Sequence, residues 1–184
     1  MAATEGRFRV LPGRDDDEWL LLDVESADPT YVPRESAPDL ASGNRIEATL
    51  DWSGDEPAIA DWTVLTDTRF RFLRTREPIF EAAETCFEAA RSAGDAMNAR
   101  VTQDTDGRAN GVVYTFADQS GQRDLFAEFR DGEKPIEPLV ARAAEDEEPP
   151  FSVWVIDPEE PFVVVFIVLD PEGLLAETMA ETYL

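Results

Sequence analysis

Phe151-Ser-Val-Trp-Val-Ile-Asp-Pro-Glu-Glu-Pro-Phe-Val-Val-Val-Phe-Ile-Val-Leu169 holds two apolar runs separated by an acidic turn bounded by prolines. The second run, Phe162 to Leu169, is apolar at every position. A strand of this kind cannot leave one face to water, so it predicts a central strand covered on both faces. The covering layers are visible on either side of it. Pro78 suits the first position of a helix, and Ile79, Phe80, Ala83, Cys86, Phe87, Ala90 and Met97 then recur mostly at spacings of three and four. Leu125, Phe126 and Phe129 mark a short helix, and Pro135 opens another that carries Ile136, Leu139, Val140 and Ala143. Asp170-Pro171 precedes a last helix with Leu174, Leu175, Thr178 and Met179 toward the core. Asp104-Thr-Asp106-Gly107 turns between two strands, the second being Val112 to Phe116. Helices and hairpins in this order predict an α+β layer, a four-stranded and largely antiparallel sheet with helices packed on it.

Upstream of residue 76 the period is two. Phe8 and Val10 share a face, Trp19 to Val24 is an apolar run, and a proline-rich connection from Asp28 to Pro38 follows. Ile46, Ala48, Leu50 and Trp52 alternate with polar residues, as do Ala60, Trp62 and Val64, and Arg69-Phe70-Arg71-Phe72 closes the series. Five short strands at this spacing predict a small antiparallel β barrel or sheet, with Leu40-x-x-Gly43-x-x-Ile46 giving it an OB-like character. The chain therefore divides into a mostly β unit at 1–76 and an α+β unit at 77–184, which are able to share one core. Nine arginines face 16 acids before the division, and seven basic residues face 24 acids after it.

Composition narrows the chemistry. The net charge of −24 would give strong self-repulsion at low salt. Disorder is excluded because 43% of residues are hydrophobic and fall in patterned runs. Of 16 basic residues only Lys134 is lysine, and arginine is the less strongly hydrated cation and pairs bidentately with carboxylates. Molar salt shortens the Debye length to about 3 Å, so this balance reads as salt adaptation. The chain has no histidine and one cysteine, Cys86, which removes Ser-His-Asp and Cys-His nucleophiles, histidine metal ligands and disulfides. No phosphate-binding glycine loop is present. No cofactor or metal is expected. Cys86 falls on an apolar helix face and reads as a small buried hydrophobe. Asp104, Asp106 and Asn110 lack the glutamate of a calcium loop, since Val113 stands there. The longest apolar run is far short of the roughly 20 residues of a membrane helix, and residues Met1 to Gly6 carry no leader pattern. A cytoplasmic protein without a membrane partner is expected.

The sharpest local feature is basic. Arg69, Arg71, Arg74 and Arg76 lie within eight positions free of acids, and Arg7 and Arg9 alternate with Phe8 and Val10. If the first and last strands of the β unit paired, these arginines would cluster on one outer face, with Arg45 beside them. A basic stripe on an acidic chain points to an anionic partner. The leading reading is a non-catalytic binding or adaptor protein with a protein or RNA partner. The alternatives are an RNA- or DNA-binding module using the same stripe, and an enzyme resting on carboxylates alone, which predicts a pocket of converging acids.

Gly6-Arg-Phe-Arg-Val-Leu-Pro12, Thr68-Arg-Phe-Arg-Phe72, Asp95-Ala-Met-Asn-Ala-Arg-Val101 with Asp104-Thr-Asp-Gly107, and Pro161-Phe-Val-Val-Val165 with Asp170 together resemble an uncharacterised haloarchaeal family, a domain of unknown function, over most of the chain. The resemblance implies habitat and fold and brings no chemistry.

Overall fold

Alternating residues at the start of the chain build a first sheet from β1 (Ala3–Pro12), β2 (Glu18–Asp23), β3 (Pro29–Pro33), β4 (Arg45–Asp51) and β5 (Ala58–Thr66), in the order β3-β2-β1-β4-β5 and antiparallel throughout. The computed structural model describes residues 2–118 and 124–184, so Met1 of the leader reading lies outside it. Phe8, Val10, Leu21, Ile46 and Leu50 form the inner face, closed over by Ala37 and Leu40. The opposite face carries Leu11, Leu20 and Leu22, one residue out of phase, as pleating requires.

The expected barrel does not close. β3 and β5 are the two ends of an open sheet. Across the gap, the Ile59 N–H donates to Ser36 Oγ at 3.3 Å, in a short 3-10 turn at Arg34–Ser36. The physical reason lies in the edges: Pro29 and Pro33 withhold their N–H groups from β3, and β5 breaks register twice against β4. Val64 stands opposite Ile46 on the inner face, yet at the sheet's end it is 41% exposed and less covered than its alternation predicts.

The strand expected to complete that unit joins the other sheet instead. β6 (Arg69–Thr75) runs parallel to β9 (Ser152–Pro158), pairing Phe70 with Val153 and Phe72 with Val155. The second sheet is completed by β7 (Met97–Gln103), β8 (Ala109–Ala117) and β10 (Phe162–Val168), in the order β6-β9-β10-β8-β7. It thus has five strands where four were predicted. β10 is central and buried at every residue, as its composition demands.

α1 (Glu81–Ala93) and α4 (Leu174–Tyr183) cover one face of this sheet, packing around Trp154, Val164 and Phe166. Gly94, at φ +76°, ends α1 with its N–H on Ala90 and Arg91. Met97 therefore opens β7 and does not extend the helical stripe. α2 (Leu125–Arg130) and α3 (Glu137–Asp146) cover the other face, and there Leu11, Leu20 and Leu22 of the first sheet join Phe70, Phe129 and Ile136 in one core. Strand pairing changes sheets between β5 and β6, ahead of the division read near residue 76.

Candidate binding cleft between the sheets

The two sheets meet where the turn before β4 touches the start of β6. Gly43 has φ +97°, and an added Cβ would stand 2.3 Å from the Phe70 nitrogen, so only glycine fits. The Phe70 N–H donates to Ser42 O at 2.9 Å, and the Asn44 side chain donates to Thr68 O and Asp67 Oδ1. This clasp carries Arg9 into the joint. Arg9 is 4% exposed, and its guanidinium donates from Nε and Nη2 to the Glu137 carboxylate at 2.8 and 3.0 Å and from Nη1 to Gly43 O at 2.9 Å. All three guanidinium nitrogens are thus engaged, with Phe70 beneath them at 5.6 Å.

Above that pair opens a cavity of about 300 Å³, walled by Leu11, Leu22, Val24, Phe70, Phe129 and Ile136. Lys134 stands at its rim, with Nζ 5.3 Å from the Phe116 ring centre and 5.8 Å from that of Phe129. Among the described residues this ammonium has no carboxylate and no hydrogen-bond acceptor. The rim opposite is a turn in which the Asp23 carboxylate accepts from Ser26 and Glu25 N–H groups, holding it below the usual aspartate range. Ala27 follows at φ +61°, a left-handed conformation costly for any residue with a Cβ. Beyond Ala27 and Gly132 the cavity runs into an open recess of about 940 Å³ carrying Arg14, Tyr31, Arg34 and Arg130. Arg14 lies 4.0 Å over the Tyr31 ring and forks onto Glu18, holding that carboxyl below its usual value.

The predicted arginines separate into three places. Arg7, Arg9 and Arg45 share one face of the β1–β4 pair, with Arg9 opposite Arg45 and Arg7 opposite Glu47, but Arg9 is buried in the joint and offers no outer surface. Arg69 and Arg71 share one face of β6 over an acid-lined recess with Asp67, Glu148 and Asp170, and Arg69 pairs with Asp67. Arg74 joins Asp124 and Asp157, and Arg76 pairs with Glu159. The single stripe depended on β1 pairing with β6, and those strands belong to different sheets. Composition singled out Lys134 but not its place. Ala27, Arg14 and Arg130 carried no signal in the sequence, because their partners come together only at the joint.

One family model matches the chain from residue 1 to residue 184. The chain belongs to DUF6663, a family of unknown function. No curated protein matches its sequence. In this DUF6663 chain the other candidate groups have structural partners. Cys86 is buried against Val113 O and Thr115. Asp104 Oδ1 accepts from the Asp106 and Arg108 N–H groups, which makes it a hairpin turn. Among the described residues no group of three His, Cys, Asp or Glu side chains is placed to hold a metal ion. Asp118 is pushed up by burial and by Asp157 and Asp124. Those two acids, however, converge on Arg74 and not on an open pocket. No helix among the described residues is long and apolar enough to cross a membrane.

Proposed function

We propose that this chain is a non-catalytic, cytoplasmic binding protein of a halophilic archaeon, acting as an adaptor whose own ligand seat is the cleft between its sheets. The observation that carries the reading is Lys134. In a chain of 40 acids, its ammonium has no carboxylate partner among the described residues and stands at the mouth of an apolar cavity. Such a site suits an organic anion with an apolar body: the body fills the cavity and the head meets the cation. The cavity stands at the small end of ligand sites, which limits the body to a compact one. The acid excess and the arginine-for-lysine balance support a molar-salt habitat. Arg71, which has no carboxylate partner among the described residues, is the member of the arginine set best placed for a partner contact, beside Arg69. The separation of the other arginines speaks against a continuous nucleic-acid face.

The test is a titration of the folded protein in molar KCl with anilinonaphthalene sulfonate, a compact apolar anion, read by fluorescence. Saturable binding is expected, about tenfold weaker in Lys134→Met and abolished by Ala141→Trp, which fills the mouth from the exposed side of α3. Binding indifferent to both substitutions sinks the reading. Native mass spectrometry of protein purified from a salt-loaded host then identifies the natural occupant.

A further inference from the structure

Each sheet has two edge strands, and unprotected edges invite pairing with another chain. Three of the four are guarded. β3 is short and bounded by Pro29 and Pro33, β5 is broken by two register shifts and carries Asp61, and β6 is bridged at Phe70 by Ser42 and carries three arginines. β7 is the least guarded: its one register shift lies at the far end, between Thr102 and Gln103, its one charge is Arg100, and Met97 to Val101 pairs without a break. Met97-Asn-Ala-Arg-Val-Thr-Gln103 contains no proline and no acid, in a chain rich in both.

The direction of its free backbone groups follows from register. The Ala117 N–H donates to Ala96 O at 2.8 Å, so that pair is hydrogen-bonded, and such pairs alternate along an antiparallel ladder. Met97 opposite Phe116, Ala99 opposite Tyr114 and Val101 opposite Val112 are therefore the pairs without ladder bonds. Their N–H and C=O groups point to the open edge. The same three residues present exposed side chains, Met97 at 47% and Val101 at 55%, beside a groove of about 380 Å³ that reaches across Val112 and Tyr114 to Ala143 and Leu169.

Two further observations indicate what fits there. Tyr114 is 5% exposed, and its hydroxyl has no hydrogen-bond partner among the described residues. Burial raises it, while nearby Arg142 acts the other way. Arg100 and Arg142, both bordering the groove, are in no ion pair among the described residues. Asp146 and Glu147 stand at the same rim and pair with neither arginine. Pleating sends Arg100 to the face opposite Met97, Ala99 and Val101.

We propose that β7 is a docking edge for an extended segment of a partner protein, with apolar residues alternating with carboxylates. The segment adds a sixth strand on the free groups of Met97, Ala99 and Val101. Its apolar side chains enter the groove against Tyr114 and Leu169, and its carboxylates meet Arg100 on the other face. A second copy's β7 carries no acid and would set Arg100 against Arg100, so the unpaired guanidiniums favour the carboxylate-bearing segment over a copy of this edge.

The probe is a fluorescein-labelled heptapeptide of alternating valine and glutamate, titrated against the whole chain in molar KCl and read by anisotropy. The matching valine–lysine peptide is the control. Saturable binding of the glutamate peptide alone is expected, with slowed hydrogen exchange at the Met97, Ala99 and Val101 amides. Ala99→Pro removes one outward N–H without touching the β7–β8 ladder and weakens binding about tenfold, the size of one backbone hydrogen bond. Val101→Glu does the same from the surface, and both variants keep the wild-type melting temperature and the anilinonaphthalene sulfonate site. No binding by the glutamate peptide, equal binding by the lysine peptide, or binding untouched by both variants overturns the proposal. A concentration-dependent dimer abolished by Ala99→Pro also overturns it, by assigning the edge to a second copy.

Discussion

Removing the Arg9 guanidinium strands the Glu137 carboxylate beside an apolar cavity, and removing Glu137 strands Arg9 with only Gly43 O for a partner. Either single change to methionine is expected to cost about 3 kcal/mol in denaturant unfolding, and the double change less than the two together. Gly43→Ala forces a Cβ into the Phe70 backbone from a left-handed φ, and about 3 kcal/mol is lost in the same measurement. Arg9 was visible in the sequence as an arginine in an alternating strand. Its carboxylate, 128 residues away, was not, because nothing local distinguishes Glu137 from the other acids on exposed helix turns. Lys134 stood out by composition alone, since its setting between two phenylalanines depends on α2 and β8 meeting.

At the scale of elements, periodicity carried far. The unbroken apolar run of β10, the turn at Asp104 to Gly107 and the buried stripe of α1 follow from residue spacing and the side-chain periods of strand and helix. β6 did not, because Arg-Phe-Arg-Phe alternation specifies a two-faced strand and says nothing about which sheet receives it. The choice is made by Phe70 and Phe72 packing against α2, and by the Gly43 clasp. The β2–β3 turn gives an acid-dependent element. Because the Asp23 carboxylate titrates below its unfolded value, its stabilising contribution is present above the ordinary aspartate range and fades as pH falls through the folded value. Asp23→Ala should therefore melt below wild type near neutrality, and the gap should close on acidification below about pH 4, as read by thermal unfolding across pH.

For the molecule as a whole, the shared core of Leu11, Leu20 and Leu22 with Phe129 and Ile136 couples the sheets. Calorimetry in molar KCl should show one transition, with equal calorimetric and van't Hoff enthalpies. Raising KCl from about 0.1 M to about 1 M shrinks the Debye length from about 10 Å to about 3 Å and should raise the midpoint markedly at a charge of −24. The α+β class could be read from pattern. Whether the first sheet closes into a barrel or stays open could not, because closure is decided by proline edges and register shifts that alternation does not encode.

The parallel pairing of β6 with β9 also sets an order of events during synthesis. The first sheet is complete once Thr66 has left the ribosome, but Phe70 and Phe72 must wait for a strand about 83 residues downstream. At about 5–20 residues per second, that leaves an aromatic strand unpaired on the nascent chain for roughly 4 to 17 seconds. Arg69, Arg71 and Arg74 alternate with or flank those rings, and like charges on neighbouring chains in a polysome keep such strands from zipping together. Part of the basic run is thus expected to act as a gatekeeper in the interval before the protein exists as a whole.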